Sequence, residues 1–179
     1  TQLVVVVDDG EFGQGDIVIT ADTGAYTVAT NGFTYLSLGE IITVVPEFGL
    51  GGTRIVIEGD RLLGGGSSAE LITLAGVEIA ELISSSDTEF QIVAGVHPSD
   101  EVGGDVTIVS DTGSVVTQES MFTYLPHGLI ASVTPNYGQF DTKVVLLGSN
   151  LLGDGNELVS VTLAGVTADL VDANHNEVI

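Results

Sequence analysis

Short apolar runs separated by clusters of turn-forming residues recur along the whole chain. Between residues 37 and 125, seven such runs lie near 41–45, 53–59, 71–75, 77–83, 89–94, 105–109 and 115–124. β-branched and aromatic residues are frequent within the runs and Gly, Asp and Ser divide them, which is the pattern of strands joined by tight turns. Seven short strands in about 90 residues predict a Greek-key sandwich, because two packed sheets remove exposed strand edges.

The same pattern recurs at a shift of 89 residues, which is the period of an internal repeat. Phe33-Thr34-Tyr35-Leu36 recurs as Phe122-Thr123-Tyr124-Leu125. Further matches are Gly15-Asp16 with Gly104-Asp105, Asp22-Thr23-Gly24 with Asp111-Thr112-Gly113, Pro46 with Pro135, Leu62-Leu63-Gly64 with Leu151-Leu152-Gly153, and Leu74-Ala75-Gly76-Val77 with Leu163-Ala164-Gly165-Val166. The sequence therefore predicts an all-β fold of tandem immunoglobulin-like Greek-key β-sandwiches.

The repeat divides the chain into three parts. We expect residues 1–36 to be the C-terminal part of one unit, residues 37–125 a complete unit, and residues 126–179 the N-terminal part of a third. Both chain ends fall near the same point of the repeat, so we expect a longer parent protein with many such units. The connectors near 36–40 and 125–129 are short, and Pro126 restricts the second one, which favours a stiff rod.

Two Asp-Thr-Gly segments, at 22–24 and 111–113, have the composition of three-residue hairpin loops. Such loops place a glycine in the left-handed region, which residues with a Cβ disfavour. We therefore interpret Asp22 and Asp111 as turn formers rather than ligands.

Three segments of the third part carry recognisable motifs. Ile130–Gly138 contains a strand followed by a Pro-x-x-Gly turn, Thr142–Leu151 contains a strand that ends in Gly-x-Asn-Leu, and Val161–Val166 forms a short hairpin motif. Together with Ser86–Glu89 and Phe122–Tyr124, they resemble the IPT/TIG domain, an immunoglobulin-like fold of plexins, some transcription factors and many surface proteins. Leu163 and Ala164 stand where that family usually has Phe and Gly. The resemblance implies an interaction or spacer module and does not identify a partner.

The charge of the chain restricts its partners. Twenty-five acidic residues against three basic ones give a formal net charge of -22, and the complete unit alone has 14 acids and 2 bases. Nucleic acids and anionic membranes would be repelled, because their binding depends on Lys and Arg. The apolar runs are much shorter than the ~20 residues of a membrane span, so no membrane insertion is expected in this segment. The sequence has no cysteine, which excludes disulfides.

The residues offer little catalytic chemistry. The three histidines, His97, His127 and His175, share no repeat position or motif, so we expect no enzyme activity in this stretch. Two acidic loops are candidates for binding calcium, one with Asp8, Asp9 and Asp16 and the other with Asp100, Glu101 and Asp105. The alternative is that these are solvated acidic loops without a bound ion. A further acidic segment is Asp154-Gly155-Asn156-Glu157, but its repeat counterpart, Gly65-Gly66-Ser67-Ser68, has no acid. We expect no other cofactor.

Arg54 and Lys143 occupy the same repeat position, so a basic residue there is a candidate for an ion pair or an interaction site. The alternative is an ordinary exposed charge that contributes little.

The mean hydropathy of +0.43 is high for sandwiches with one wet face per sheet, and Val144–Leu147 has apolar groups on both sides of a strand. Two interpretations fit: the core of each unit is slightly larger than usual, or outer faces pack against neighbouring repeats or other copies of the protein. The first function hypothesis is a structural module of a long extracellular or cell-surface protein, forming a stiff rod or filament such as a surface hair, stalk or adhesin. The alternative is a ligand-binding ectodomain module that recognises a glycan, a protein or calcium. A further alternative is an accessory domain of a secreted enzyme, with catalysis elsewhere.

Overall fold

The computed structural model describes residues 2–98, 102–153 and 155–171, together with the backbone of 177–178. Within these residues the chain forms strands and turns, and no helix. The first part is a single hairpin of β1 (Gly13–Thr20) and β2 (Tyr26–Tyr35), which pair antiparallel. The predicted all-β class is confirmed. There is no described helix with the length and apolar character of a membrane span.

The middle part is a β-sandwich of two sheets. Its strands are β3 (Glu40–Val45), β4 (Phe48–Gly49), β5 (Arg54–Asp60), β6 (Ala69–Leu74), β7 (Val77–Glu78), β8 (Glu81–Ser85), β9 (Glu89–Val93), β10 (Val102–Ser110) and β11 (Val115–Tyr124). One sheet has the order β3-β5-β9-β8 and the other β4-β11-β10-β6-β7. The pairs are antiparallel except β4 with β11, which are parallel.

The core of the middle part lies between these sheets. Burial alternates along β5 and β10, because successive side chains in a strand point to opposite faces. The buried cluster joins Ile57 and Ile92 of one sheet to Ile108 and Phe122 of the other. Full burial of each such side chain contributes about 1.5–3 kcal/mol relative to exposure.

One predicted strand is divided in the structure. The run 77–83 was expected as one strand, but Val77–Glu78 pairs with β6 and Glu81–Ser85 pairs with β9 in the opposite sheet. Between them, the Ile79 N–H donates to the Ile72 carbonyl and the Ala80 N–H donates to the Val93 carbonyl. The chain therefore crosses from one sheet to the other at this point, which the continuous apolar pattern does not reveal.

The predicted hairpin loops are confirmed. Gly24 has φ of 85° and Gly113 has φ of 83°, both in the left-handed region. In the second loop the Ser110 N–H donates to the Ser114 carbonyl at 2.9 Å, which closes the three-residue loop. The repeat also extends to residues other than glycine that have a positive φ, since three such pairs align. They are, with their φ values, Asn31 and Ser120 (52° and 55°), Arg61 and Asn150 (49° and 51°), and Ala75 and Ala164 (46° and 52°).

The third part contains two small sheets. They are β12-β13-β16, formed by Leu129–Thr134, Val145–Ser149 and Glu177–Val178, and β14-β15, formed by Val161–Leu163 and Val166–Ala168. By the repeat, β12 to β15 align with β3, β5, β6 and β7. The bulge between Ile130 and Ser132 matches the bulge between Ile41 and Thr43. The proposed limits of the three domains stay a prediction.

Candidate functional site

The described histidines lie in different places. His97 follows β9, and its ring lies 5.0 Å from the ring of Tyr124, centroid to centroid. His127 lies in the exposed connector between β11 and β12, and His175 falls outside the described residues. Burial raises the pKa of the Tyr124 phenol, whose hydroxyl has no hydrogen-bond partner among the described residues. The absence of enzyme activity stays a prediction.

The acidic residues considered as calcium ligands have structural hydrogen bonds. Asp16 Oδ1 accepts from the Asn31 N–H at 2.8 Å, and Asp105 Oδ1 accepts from the Ser120 N–H at 3.0 Å. Each of these bonds fixes the left-handed residue of the partner strand beside a β-bulge. The two aspartates therefore have the same local role in the two hairpins.

The remaining acidic candidates are less informative. Asp8 Oδ1 accepts from the Asp9 N–H at 2.9 Å, whereas Asp100, Glu101 and Asp154 lie outside the described residues. In residues 2–98, 102–153 and 155–171, no group of three or more His, Asp or Glu side chains is arranged to hold a metal ion. The calcium hypothesis stays a prediction.

Arg54 and Lys143 are both exposed. Arg54 opens β5 opposite Val93, and Lys143 lies in the loop before β13. Their role as an ion pair or interaction site stays a prediction.

Asp111 ties the hairpin loop at 111–113 to the segment before β6. Its Oδ1 accepts from the Ser67 N–H at 2.9 Å and its Oδ2 from the Ser67 hydroxyl at 3.0 Å. These bonds favour the charged carboxylate, so they hold the pKa of Asp111 below its ordinary value. The turn-forming role predicted for this residue is thus joined by a second contact that the sequence did not indicate.

Arg61 is a residue whose role the sequence analysis missed. Its Nε donates to the Ser37 carbonyl at 3.0 Å, and its Nη2 donates to the Leu38 carbonyl at 3.0 Å. Both carbonyls belong to the connector between β2 and β3. A planar guanidinium holds two acceptors in a fixed geometry, so Arg61 restrains the first connector. The available signal was that Arg61 is one of only three basic residues.

The two connectors lie at opposite ends of the middle sandwich. A Cβ built on Gly39 would lie 2.6 Å from the Val116 side chain, so the first connector runs against the start of β11. At the far end of β11, Tyr124 pairs with Gly49 and the second connector begins. The ten residues of β11 span about 33 Å at the rise of an extended strand. The chain therefore enters and leaves this unit at points about one strand length apart.

Apolar side chains are exposed on the first and third parts. In the first part they include Leu3, Val4, Val5, Val6, Val7, Ile17, Ile19 and Phe33, and in the third Leu129, Ile130, Val133, Leu147, Leu163 and Val166. Several of them align with fully buried core residues of the middle unit, such as Val106 and Ile108 for Ile17 and Ile19. Within the described residues, these aligned side chains are therefore more exposed than their counterparts in the middle unit.

The loop 135–142 presents two exposed aromatic side chains. Tyr137 lines a shallow concave surface with Pro135, Gln139 and Thr142, and Phe140 is 92% exposed. The loop is closed by the Thr142 hydroxyl, which accepts from the Gln139 N–H at 3.0 Å. Phe140 aligns with Gly51 in the middle unit, so the fold itself does not require an aromatic residue there.

No protein-family model matches the chain, and no curated protein matches it. Solved structures of low identity are similar to it. An auxiliary nutrient binding protein of Bacteroides thetaiotaomicron is 19% identical with a TM-score of 0.40, over 55% of this chain and 23% of that one. SGBP-B from a xyloglucan utilization locus of Bacteroides uniformis is 18% identical with a TM-score of 0.36, over 79% and 41%.

A third similar structure is SGBP-B from the mixed-linkage glucan utilization locus of Bacteroides ovatus, in complex with a mixed-linkage heptasaccharide. It is 16% identical with a TM-score of 0.39, over 74% of this chain and 35% of that one. The chain thus matches less than half the length of each of these three proteins. It is distantly similar in structure to surface glycan-binding proteins of Bacteroides.

Proposed function

We propose that this chain is a segment of a stiff rod built from tandem immunoglobulin-like units in an extracellular or cell-surface protein, where it works as a spacer or stalk and catalyses nothing. The observation that supports this most is the restrained first connector, in which Arg61 binds the carbonyls of Ser37 and Leu38. A flexible chain of domains would not need a side chain committed to its linker backbone.

Two further features support a rod. The connectors lie at opposite ends of the middle unit, so successive units extend in line rather than folding back. At the second connector, a Cβ of Gly153 in the third part would lie 3.1 Å from Leu50 of the middle unit. This close approach leaves little room for the third part to swing about Pro126.

The rod is tested by measuring the distance between matching points of two repeats. Spin labels on Thr23→Cys and Thr112→Cys mark the same loop in the first and middle parts, and the absence of native cysteine makes the labelling specific. Pulsed electron resonance, with labelled chain diluted in unlabelled chain, should give one narrow distance distribution. Arg61→Gln should broaden it, whereas Arg54→Gln, with the same change of charge, should not. The rod would be refuted if the unsubstituted chain gave a broad distance distribution and Arg61→Gln left that distribution unchanged.

A second candidate function is glycan binding, which the exposed aromatics of loop 135–142 favour. Tyr137 and Phe140 offer flat apolar surfaces, and Tyr137 adds a polar hydroxyl, as in many sites that bind small polar ligands. Mixed-linkage heptasaccharide is the probe to titrate calorimetrically. Phe140→Ala should weaken binding at least ~10-fold, whereas the control Phe12→Ala should leave it unchanged. This result would support glycan binding. An absence of heat with the unsubstituted chain would exclude this ligand.

A further inference from the structure

The outer face of strands β6, β10 and β11 in the middle unit carries two rows of uncharged side chains. Along β10, Val106 and Ile108 point into the core, so Thr107 and Val109 point outward. The pairing of β10 with β6 and with β11 extends these two positions across all three strands. The six side chains, which we call the neutral face, form the rows Thr73–Thr107–Thr117 and Leu71–Val109–Val115.

The outer face of the other sheet of this unit is charged. Neighbouring strands there carry Arg54, Glu58, Glu81 and Glu89. The complete unit has 14 acids and 2 bases, so two copies of the protein repel each other wherever their acidic surfaces meet. At the neutral face, two copies can approach without bringing like charges together.

The neutral face is also inexpensive to remove from water. The hydroxyls of Thr107 and Thr117 are 3.0 Å apart and form a hydrogen bond with each other. This bond reduces the cost of burying the two hydroxyls, which is large only when they have no partner. The apolar row offers surface that covering would remove from water, since Leu71 is 39% and Val115 is 60% exposed.

The absence of charge recurs at the matching positions of the other two repeats. None of the residues that align with the neutral face is acidic or basic. They are Val18, Thr20, Tyr26 and Val28 in the first hairpin, and Ser160 and Thr162 in the third part. A rod of such units therefore presents a neutral face once in every repeat.

A single neutral face is too small to hold two molecules together. Three strands about 4.8 Å apart, with two outward residues per strand, cover about 200 Å². A stable interface covers about 800 Å² on each partner, so roughly four units must engage at once. A second copy of the rod meets this need, because its own faces recur at the same spacing and bind together. A partner without this spacing would meet each small face separately.

We propose that copies of this protein associate side by side through their neutral faces, sheet against sheet. The proposal rests on the proposed rod, because a flexible chain would not hold successive faces in register. The same surface serves both copies, so the contact has two-fold symmetry with its axis near the central strand β10. The charged outer faces of β3-β5-β9-β8 then remain in water. The rod thereby becomes one member of a bundle.

The first test is cross-linking of cysteine variants in the full chain, which has no native cysteine. Sheets packed face to face lie about 10 Å apart, within reach of a short bifunctional maleimide. At about 1 mM chain, because the contact of one unit is weak, Val109→Cys should give at least ~10-fold more covalent dimer than Val56→Cys. Val56 is the matching half-buried valine on the outer face of β5. Equal yields, or no dimer from Val109→Cys, would overturn the proposal.

The second test places a charge on one outer face or the other. Val115 and Val45 are 60% and 61% exposed, on opposite sheets of the same unit. In the Val109→Cys chain, Val115→Glu should lower the yield of covalent dimer at least ~10-fold, because the contact would bury a carboxylate. Val45→Glu should leave the yield unchanged. Circular dichroism verifies that both variants are folded, and equal effects of the two would contradict the proposed surface.

Salt and an added glycan separate this contact from the alternatives. Raising the ionic strength from about 0.1 to 1 M shortens the Debye length from about 10 to 3 Å, so repulsion between acidic copies weakens and the yield should rise. A lower yield would show an ionic contact instead. Absence of cross-linking, with NMR shifts of the neutral face on adding mixed-linkage heptasaccharide, would assign this face to a glycan. The spin-label distance is measured within single diluted chains, so the rod and its association fail separately.

Discussion

The hairpins β1–β2 and β10–β11 have nearly the same sequence motifs but opposite surroundings. They share their loop, their bulge, the aspartate that binds the left-handed residue and the edge-to-face aromatic pair. They differ in burial, since the second hairpin is covered by the opposite sheet and, within the described residues, the first is not. Local sequence therefore determines the shape of this hairpin, and the presence of partner strands determines what its apolar side chains contribute.

The largest difference between the two hairpins is expected when the same side chain is truncated in both. Ile108→Ala should lower the free energy of unfolding of the middle unit by about 2–5 kcal/mol, because it removes fully buried methylene groups and leaves a cavity. Ile19→Ala should cost less than about 1 kcal/mol, because Ile19 is half exposed. Urea unfolding followed by circular dichroism measures both. Equal costs would show that the first hairpin is covered in solution.

A smaller effect is expected at the aspartate that both hairpins share. Asp105→Ala removes the acceptor of the Ser120 N–H and should destabilise the middle unit by about 1 kcal/mol. Asp105→Asn retains an oxygen acceptor at that position and should therefore lose little stability. Hydrogen exchange of the Ser120 amide is the direct measurement, and Asp16→Ala should accelerate exchange at Asn31 in the same way. A full loss of protection in Asp105→Asn would mean that the charge, rather than the hydrogen bond, matters.

The smallest predicted effect concerns pH and comes from Asp111 in the second hairpin loop. The pKa of Asp111 is lowered in the folded state, so its stabilisation is present above the ordinary value of 3.8 and is lost as the pH falls through the lower folded value. Asp111→Asn should therefore lower the Tm slightly at neutral pH and reduce its acid dependence. Asp22→Asn, whose loop has no Ser67 counterpart within these residues, is the control. Parallel Tm profiles for the wild type and Asp111→Asn would contradict this account.

Features determined by neighbouring residues could be predicted from the sequence. The Asp-Thr-Gly loops were predicted because left-handed positions at 24 and 113 favour glycine. The division of the run 77–83 was not predicted, since it depends on which sheet offers a free edge to each half. The short strand β4 was not predicted either. Two residues are too few to show an alternating pattern, and their partner strand β11 lies far along the chain.

The candidate site residues show the same division. Acidic residues in glycine-rich loops suggested calcium, but Asp16 and Asp105 bind backbone amides 15 residues away, across a bulge. That role depends on strand register, which the bulge alters by one residue. The restraint by Arg61 likewise depends on a connector more than 20 residues earlier. A basic residue in a chain with so few of them was the one sign that this position is special.

The parallel pairing of β4 with β11 has a mechanical consequence. The Thr123 N–H donates to the Glu47 carbonyl and the Leu125 N–H to the Gly49 carbonyl, both at 2.9 Å. Tension applied to the two connectors pulls these strands along their length in opposite directions, so both bonds bear the force together instead of opening one after the other. The middle unit is thus held by a short pair of strands loaded in shear, beside the point where the chain leaves it, and this pair resists stretching before the sheets separate.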